Sequence, residues 1–142
     1  MANFGYERMT MKQLSTLLLA VLAAFTVACG YSSKATAPAT AGTTPTITVL
    51  TPGNTTHGDA AFVLVVNGTN FSSAAVINFN GTSQTTNQVS GTQLTATIAA
   101  ADIATAGMVP VTVTNPGTAG TGAYGSGGTL AETSSPMTFT IN

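Results

Sequence analysis

Between Pro45 and Asn142, apolar and polar residues alternate at period two in segment after segment. A strand turns successive side chains to opposite faces, so this pattern marks sheets with one face buried. Ile47 and Val49 alternate with Thr46 and Thr48 before the turn Pro52-Gly53-Asn54. Phe62, Leu64 and Val66 alternate within an apolar run that ends at Asn67-Gly68. Ala75, Ile77 and Phe79 alternate with Val76 and Asn78, ending at Asn80-Gly81. Leu94, Ala96 and Ile98 alternate with Thr95 and Thr97, and Val109, Val111 and Val113 with Pro110, Thr112 and Thr114. Met137, Phe139 and Ile141 alternate with Thr138 and Thr140. These six strands, with a seventh around Gln84–Val89, are divided by Gly, Asn and Pro turns and predict an all-β antiparallel β-sandwich. The expected core is Ile47, Leu64, Val66, Phe71, Ile77, Phe79, Leu94, Ile98, Val111, Val113, Phe139 and Ile141.

Three places depart from the plain pattern. Pro110 lacks the ladder donor and is expected at an edge, a strand start or a bulge. Ala99 to Gly107 can form a helical turn capped by Asp102 and ended by Gly107, serving as a crossover between sheets. Pro116 to Ser135 is long and rich in Gly, Thr, Ala and Ser, with Tyr124 in its middle, and reads as a mobile hairpin extension.

Upstream the chain changes character. Lys12 precedes an apolar run from Leu14 to Phe25, followed by Thr26-Val27-Ala28-Cys29-Gly30. A short basic head, an apolar core and small residues form a secretory signal. The start is Met1, Met9 or Met11. The run falls short of the ~17–25 apolar residues of a membrane span. Cys29 is the only cysteine, and a free thiol is unusual in an oxidising compartment. The residues before Cys29 resemble the bacterial lipobox, with Thr26 where Leu is usual. Cys29 is therefore the expected lipid attachment site, and residues 1–28 the signal peptide. The alternative is an ordinary signal cut near Ala28, leaving a secreted or periplasmic protein. The resemblance implies anchorage in a membrane through lipid, and Gly30 in place of aspartate points to the outer membrane or cell surface. Residues 29–44 show no period and contain Pro38, so they read as a flexible tether spanning about 20 Å.

From Cys29 onward the charged side chains are Lys34, Asp59, Asp102 and Glu132, so three acids against one base leave a formal charge of −2. Nucleic acid needs clustered Lys and Arg and is excluded as a partner. Solubility rests on Thr, Ser, Asn and Gly.

The order of motifs over Pro45–Asn142 resembles the IPT/TIG family. The resemblance rests on Pro52-Gly53, Val66-Asn67-Gly68-Thr69-Asn70-Phe71 and Ile77-Asn78-Phe79-Asn80-Gly81. It continues in Ser90-Gly91-Thr92-Gln93-Leu94-Thr95-Ala96, Val111-Thr112-Val113-Thr114-Asn115-Pro116 and Phe139-Thr140-Ile141. It implies an immunoglobulin-like sandwich of about seven strands over residues 45–142, and the family has no shared catalytic residues to carry over. Gly68 is expected to turn the chain out of its strand, Phe71 to plug the core, and Asn80-Gly81 to make a tight hairpin. Members occur in cell-surface receptors, in transcription factors and beside carbohydrate-active enzymes, so the fold leaves function open.

A search for chemistry finds little. His57 and Asp59 could form a metal or acid–base pair, but zinc needs three or four ligands, and a polar turn explains them. Asp59, Asp102 and Glu132 are far apart in sequence, and no serine sits in a nucleophile elbow. The Gly-rich segments lack the lysine of a phosphate loop. No catalytic residue, metal or cofactor is expected. The reading is a non-catalytic surface lipoprotein with a structural, adhesive or binding domain, its partner a surface protein or polysaccharide. The alternative is a small carbohydrate-binding module using the Gly-rich loop. A ligand site, if present, is expected near Gly120–Gly128, with Tyr124 offering a ring face and a hydroxyl.

Overall fold

The computed structural model describes residues 37–122 and 127–142. Its strands are β1 (Thr46–Thr51), β2 (Asn54–Thr55), β3 (Phe62–Thr69), β4 (Val76–Phe79), β5 (Thr82–Ser83) and β6 (Thr86–Ser90). Then come β7 (Gln93–Ile98), a 3-10 turn (Ala100–Ile103), β8 (Gly107–Asn115), β9 (Glu132–Thr133) and β10 (Met137–Ile141). One sheet has the order β1-β3-β7-β6 and the other β2-β10-β8-β4-β5, with β9 beside β8. The result is an immunoglobulin-like β-sandwich. Its pairs are antiparallel except β2 with β10, which run parallel. The six expected strands appear as β1, β3, β4, β7, β8 and β10, and the seventh as β6. The extra strands β2, β5 and β9 have two residues each, too few to show a period.

All twelve expected core residues are buried, joined by Leu50, Ala75, Ala96 and Ile103. Phe139 lies at the centre, edge-on to Phe79 at 5.3 Å and stacked on Phe62 at 5.8 Å between ring centroids. Such aromatic pairs add about 0.5–1.5 kcal/mol beyond their buried area.

The face assignment of β1 needs correction. Ile47 pairs with Gly68 but Val49 with Asn67, so Thr48 is an extra residue. This bulge inverts the alternation beyond it. Leu50 then points inward, and Val49 is 50% exposed. Thr48 Oγ1 donates to the Asn67 carbonyl at 3.2 Å across the bulge.

Gly68 has a different role from the one expected. It lies inside β3 rather than at its exit, and its backbone φ is not in the positive region. The need is for space: a Cβ there would meet the Thr46 carbonyl oxygen at 2.0 Å and Phe71 Cζ at 2.5 Å. Phe71 is buried against this bare stretch of backbone, as the plug expected. Asn80 and Gly81 both take positive φ, 49° and 78°, and Phe79 pairs with Thr82 across them. This is the two-residue hairpin that Asn-Gly favours.

Pro110 sits where β8 outruns β4. Its carbonyl accepts the Asn80 amide at 2.9 Å, so its nitrogen faces the same side, where β4 is turning away. No ladder donor is needed there.

Between β9 and β10 the chain bulges through Ser134-Ser135-Pro136. Ser134 is buried, its amide donates to the Val113 carbonyl at 2.9 Å, and its Oγ accepts the Val113 amide at 3.0 Å. The hydroxyl replaces the backbone acceptor that the bulge removes.

Candidate functional site

Strand directions divide the loops into two ends. At the linker end lie Thr40–Pro45, Asn70–Ala75, Gly91-Thr92 and, paired through Thr118 and Thr129 as the base of a hairpin, residues 116–122 and 127–131. At the far end lie Pro52–Ala61, Asn80–Thr85, Ala99–Ala106 and Asn142. The expected site residues Cys29 and Tyr124 lie outside the described residues.

The linker end is organised by Asn115. It is buried at the end of β8, and all its side-chain hydrogen-bonding groups are used. Nδ2 donates to the carbonyls of Thr43 and Asn70, both at 2.7 Å, and Oδ1 accepts the Ser72 amide at 3.0 Å. One side chain thus ties the incoming chain to the loop that carries Phe71. Asn70 adds a bond from Nδ2 to the Thr44 carbonyl at 3.3 Å.

The tether therefore does not run free to Thr44. Thr40 donates to the Gly128 carbonyl at 2.9 Å, and Leu130 donates to the Thr40 carbonyl at 2.9 Å. Thr118 and Thr129 exchange backbone bonds at 3.1 Å across the base of the hairpin. Three glycines permit this close approach. A Cβ on Gly42 would meet the Leu130 oxygen at 2.4 Å, one on Gly117 the Thr129 oxygen at 2.6 Å, and one on Gly128 the Thr118 oxygen at 2.2 Å. Thr40→Pro removes the donor to Gly128. Hydrogen exchange at the Leu130 amide is expected to accelerate about tenfold, with the Leu64 amide unchanged. Unchanged exchange at Leu130 would show that the linker is not held there.

The far end holds the larger concavity, a cleft of about 450 Å³. Its floor is Phe79, Val109 and Ile141, and its walls are the Asn80–Thr82 hairpin and the Ala101–Gly107 crossover. Asp102 is the only ionisable side chain lining it. Asp102 accepts Gln84 Nε2 at 3.4 Å and caps nothing, since the 3-10 turn has Ala99 at its N-cap without a side-chain bond. Its expected capping role is corrected. The turn is too short to need a side-chain cap, and Ile103 pins it into the core.

His57 and Asp59 bond to other partners and not to each other. Asp59 Oδ2 accepts Thr55 Oγ1 at 3.1 Å and the Thr56 amide at 3.0 Å. His57 donates its backbone amide to the Asn142 oxygen at 2.9 Å, and Nδ1 lies 2.8 Å from that oxygen. Both residues close a polar turn. Among the described residues no three of His, Cys, Asp and Glu are grouped to hold a metal.

The outward faces of both sheets carry no ionised side chain. The outer face of β4, β8 and β9 is joined by hydroxyls and an amide: Asn78 Nδ2 donates to Thr114 Oγ1 at 3.0 Å, and Thr114 and Thr133 hydroxyls meet at 2.9 Å. Asp59 and Asp102 stand in far-end loops, and Glu132 at the linker end takes Thr44 Oγ1 at 3.3 Å.

Two sheets, a parallel β2 beside β10 and a Phe-centred core define an immunoglobulin-like module. A family model for the IPT/TIG domain matches residues 45–141, and the chain belongs to that family. The match covers the whole sandwich and places the chain among modules of structural or binding kind. No curated protein and no solved structure matches the chain.

Sequence reasoning missed Asn115 as the organiser, although it stood in the Thr-Asn-Pro piece that carried the family resemblance. It also missed the far-end cleft, which is assembled from Ala, Gly and Thr with no distinctive residue.

Proposed function

We propose that this chain is an exported lipoprotein, anchored through Cys29, whose IPT/TIG domain is a non-catalytic binding or structural module at the cell surface. The observation that carries the reading is the order of parts: a secretory pattern, a lone Cys29 after small residues, a short linker and then the sandwich. Bacterial lipoproteins carry more than one acyl chain, and two or more hold a protein stably to a bilayer. Within the domain, support comes from the bonding of Thr40–Thr44 beside the hairpin. These bonds hold the end of the linker against the sandwich, so the segment that leads back toward Cys29 in sequence departs from this end, and the far end is the opposite one. In this reading the far end serves as the binding surface, with the Gly120–Gly128 segment and Tyr124 as the alternative site.

Labelled palmitate is expected to enter the wild-type chain made in a bacterial host and to be absent from Cys29→Ser. Equal labelling of both, or of neither, would remove the anchor from this reading and leave a secreted module.

A further inference from the structure

We propose that the far-end cleft binds a short extended peptide segment, which continues the sheet from the point where β4 stops. This deepens the reading of a binding module and rests on it only for the choice of the end opposite the linker.

The argument starts from the mismatch of two strands. β8 begins at Gly107, while its neighbour β4 ends opposite Val111. Backbone groups in a strand point alternately to the two neighbours. The Pro110 carbonyl accepts the Asn80 amide, so Pro110 faces the β4 side. Met108, two residues away, faces that side too. On the other side, Met108 stands opposite Thr140, whose amide turns away to the Gly53 carbonyl at 3.4 Å. The Met108 N–H and C=O therefore point together into the space that β4 vacates, and no strand of the described residues pairs with them there. That space is the cleft of about 450 Å³, within the usual ligand-pocket range of ~300–1,000 Å³.

A donor and an acceptor on one residue at strand spacing match the backbone of one residue in an extended chain. Strand addition at a sheet edge uses this pairing for affinity and side-chain pockets for selection. The walls here are small: Ala101, Ala104, Ala106 and Thr105 leave room for backbone but little for bulky side chains. Asp102 is the only charge at the rim, so an acidic segment is disfavoured and a neutral or singly cationic one fits. Phe79 and Ile141 give the cleft an apolar floor against which a small side chain can rest. The occupant is thus an extended peptide of small neutral residues, seated antiparallel to the first residues of β8.

The test is an amide NMR titration of the mature chain carrying Cys29→Ser, so that lipid plays no part. The probe is the capped neutral tetrapeptide acetyl-Ala-Thr-Ala-Thr-amide. The Met108 amide is expected to shift saturably with a dissociation constant on the order of 1 mM. Met108→Pro, which removes the donor where no ladder bond is lost, is expected to weaken binding about tenfold. Ala106→Trp, which fills the cleft and leaves the backbone pair intact, is expected to abolish it, and it decides alone if Met108→Pro fails to fold. Tyr124→Ala is expected to bind as the wild type. The proposal is overturned if Met108 does not shift, or if Ala106→Trp binds unchanged. It is also overturned if an N-acetylglucosamine trimer moves Met108 and the peptide does not. Because no anchor is present, failure here leaves the palmitate result untouched.

Discussion

Phe79→Ala is expected to lower the melting temperature of the domain by on the order of 20 °C. Phe79 is 1% exposed and meets Phe139 edge to face at 5.3 Å. Truncating a buried Phe costs about 3–5 kcal/mol, through lost transfer energy and the cavity left behind. In a domain of this size each kcal/mol moves the midpoint by about 4–8 °C. Thr112→Ala is the control. Thr112 is on the outer side of the same sheet, and its contact with Asn78 Nδ2 is long, 3.4 Å. It should move the midpoint by only a few degrees. Thermal unfolding followed by circular dichroism reads both. Equal small effects would mean that the inner and outer faces are exchanged.

The second large effect is expected at Asn115. Asn115→Leu keeps the branched shape but removes the partners of the Ser72 amide and of the Thr43 and Asn70 carbonyls. The half-buried Ser72 amide loses its acceptor, while the exposed Thr43 and Asn70 can turn their carbonyls to water, so about 2 kcal/mol in all is expected. The loss should come with a local signature. Thr43 is released, so exchange at Leu130 should rise more than exchange at Leu64. Asn115→Asp retains an acceptor for Ser72 but turns a charge toward two carbonyls, and it should be no milder than leucine. Full stability in Asn115→Leu would mean that the linker and the Phe71 loop are held by other contacts.

How much was legible in the sequence differs by element. Alternation in β3, β7, β8 and β10 placed the inward apolar side chains correctly, because those strands run without interruption between well-marked turns. It failed in β1, where one extra residue at Thr48 reverses the parity and trades Val49 for Leu50. A bulge leaves no mark in composition when both residues are apolar. Gly68 was visible, but its reason was not. A glycine at a turn and a glycine under a packed ring look alike until the strand beside it is known. Asp102 was misread as a cap because spacing alone cannot distinguish a 3-10 turn from the start of an α-helix. The far-end cleft gave little signal, since its walls are mostly common small residues and the unpaired groups of Met108 belong to the backbone. Cys29 and Tyr124 lie outside the described residues.

The uncharged sheet faces bear on how copies of this domain would share a surface. Coulomb repulsion between neighbours sets a spacing near the Debye length, about 8 Å at physiological salt. Here the described ionised groups are confined to the loop ends, and the flanks offer threonine hydroxyls, amides and scattered valines. Side by side, such flanks add no like charges of their own to hold them apart. Their packing is then set mainly by shape and hydration, and the repulsion that remains between carboxylates at the loop ends is screened within about 8 Å at physiological salt.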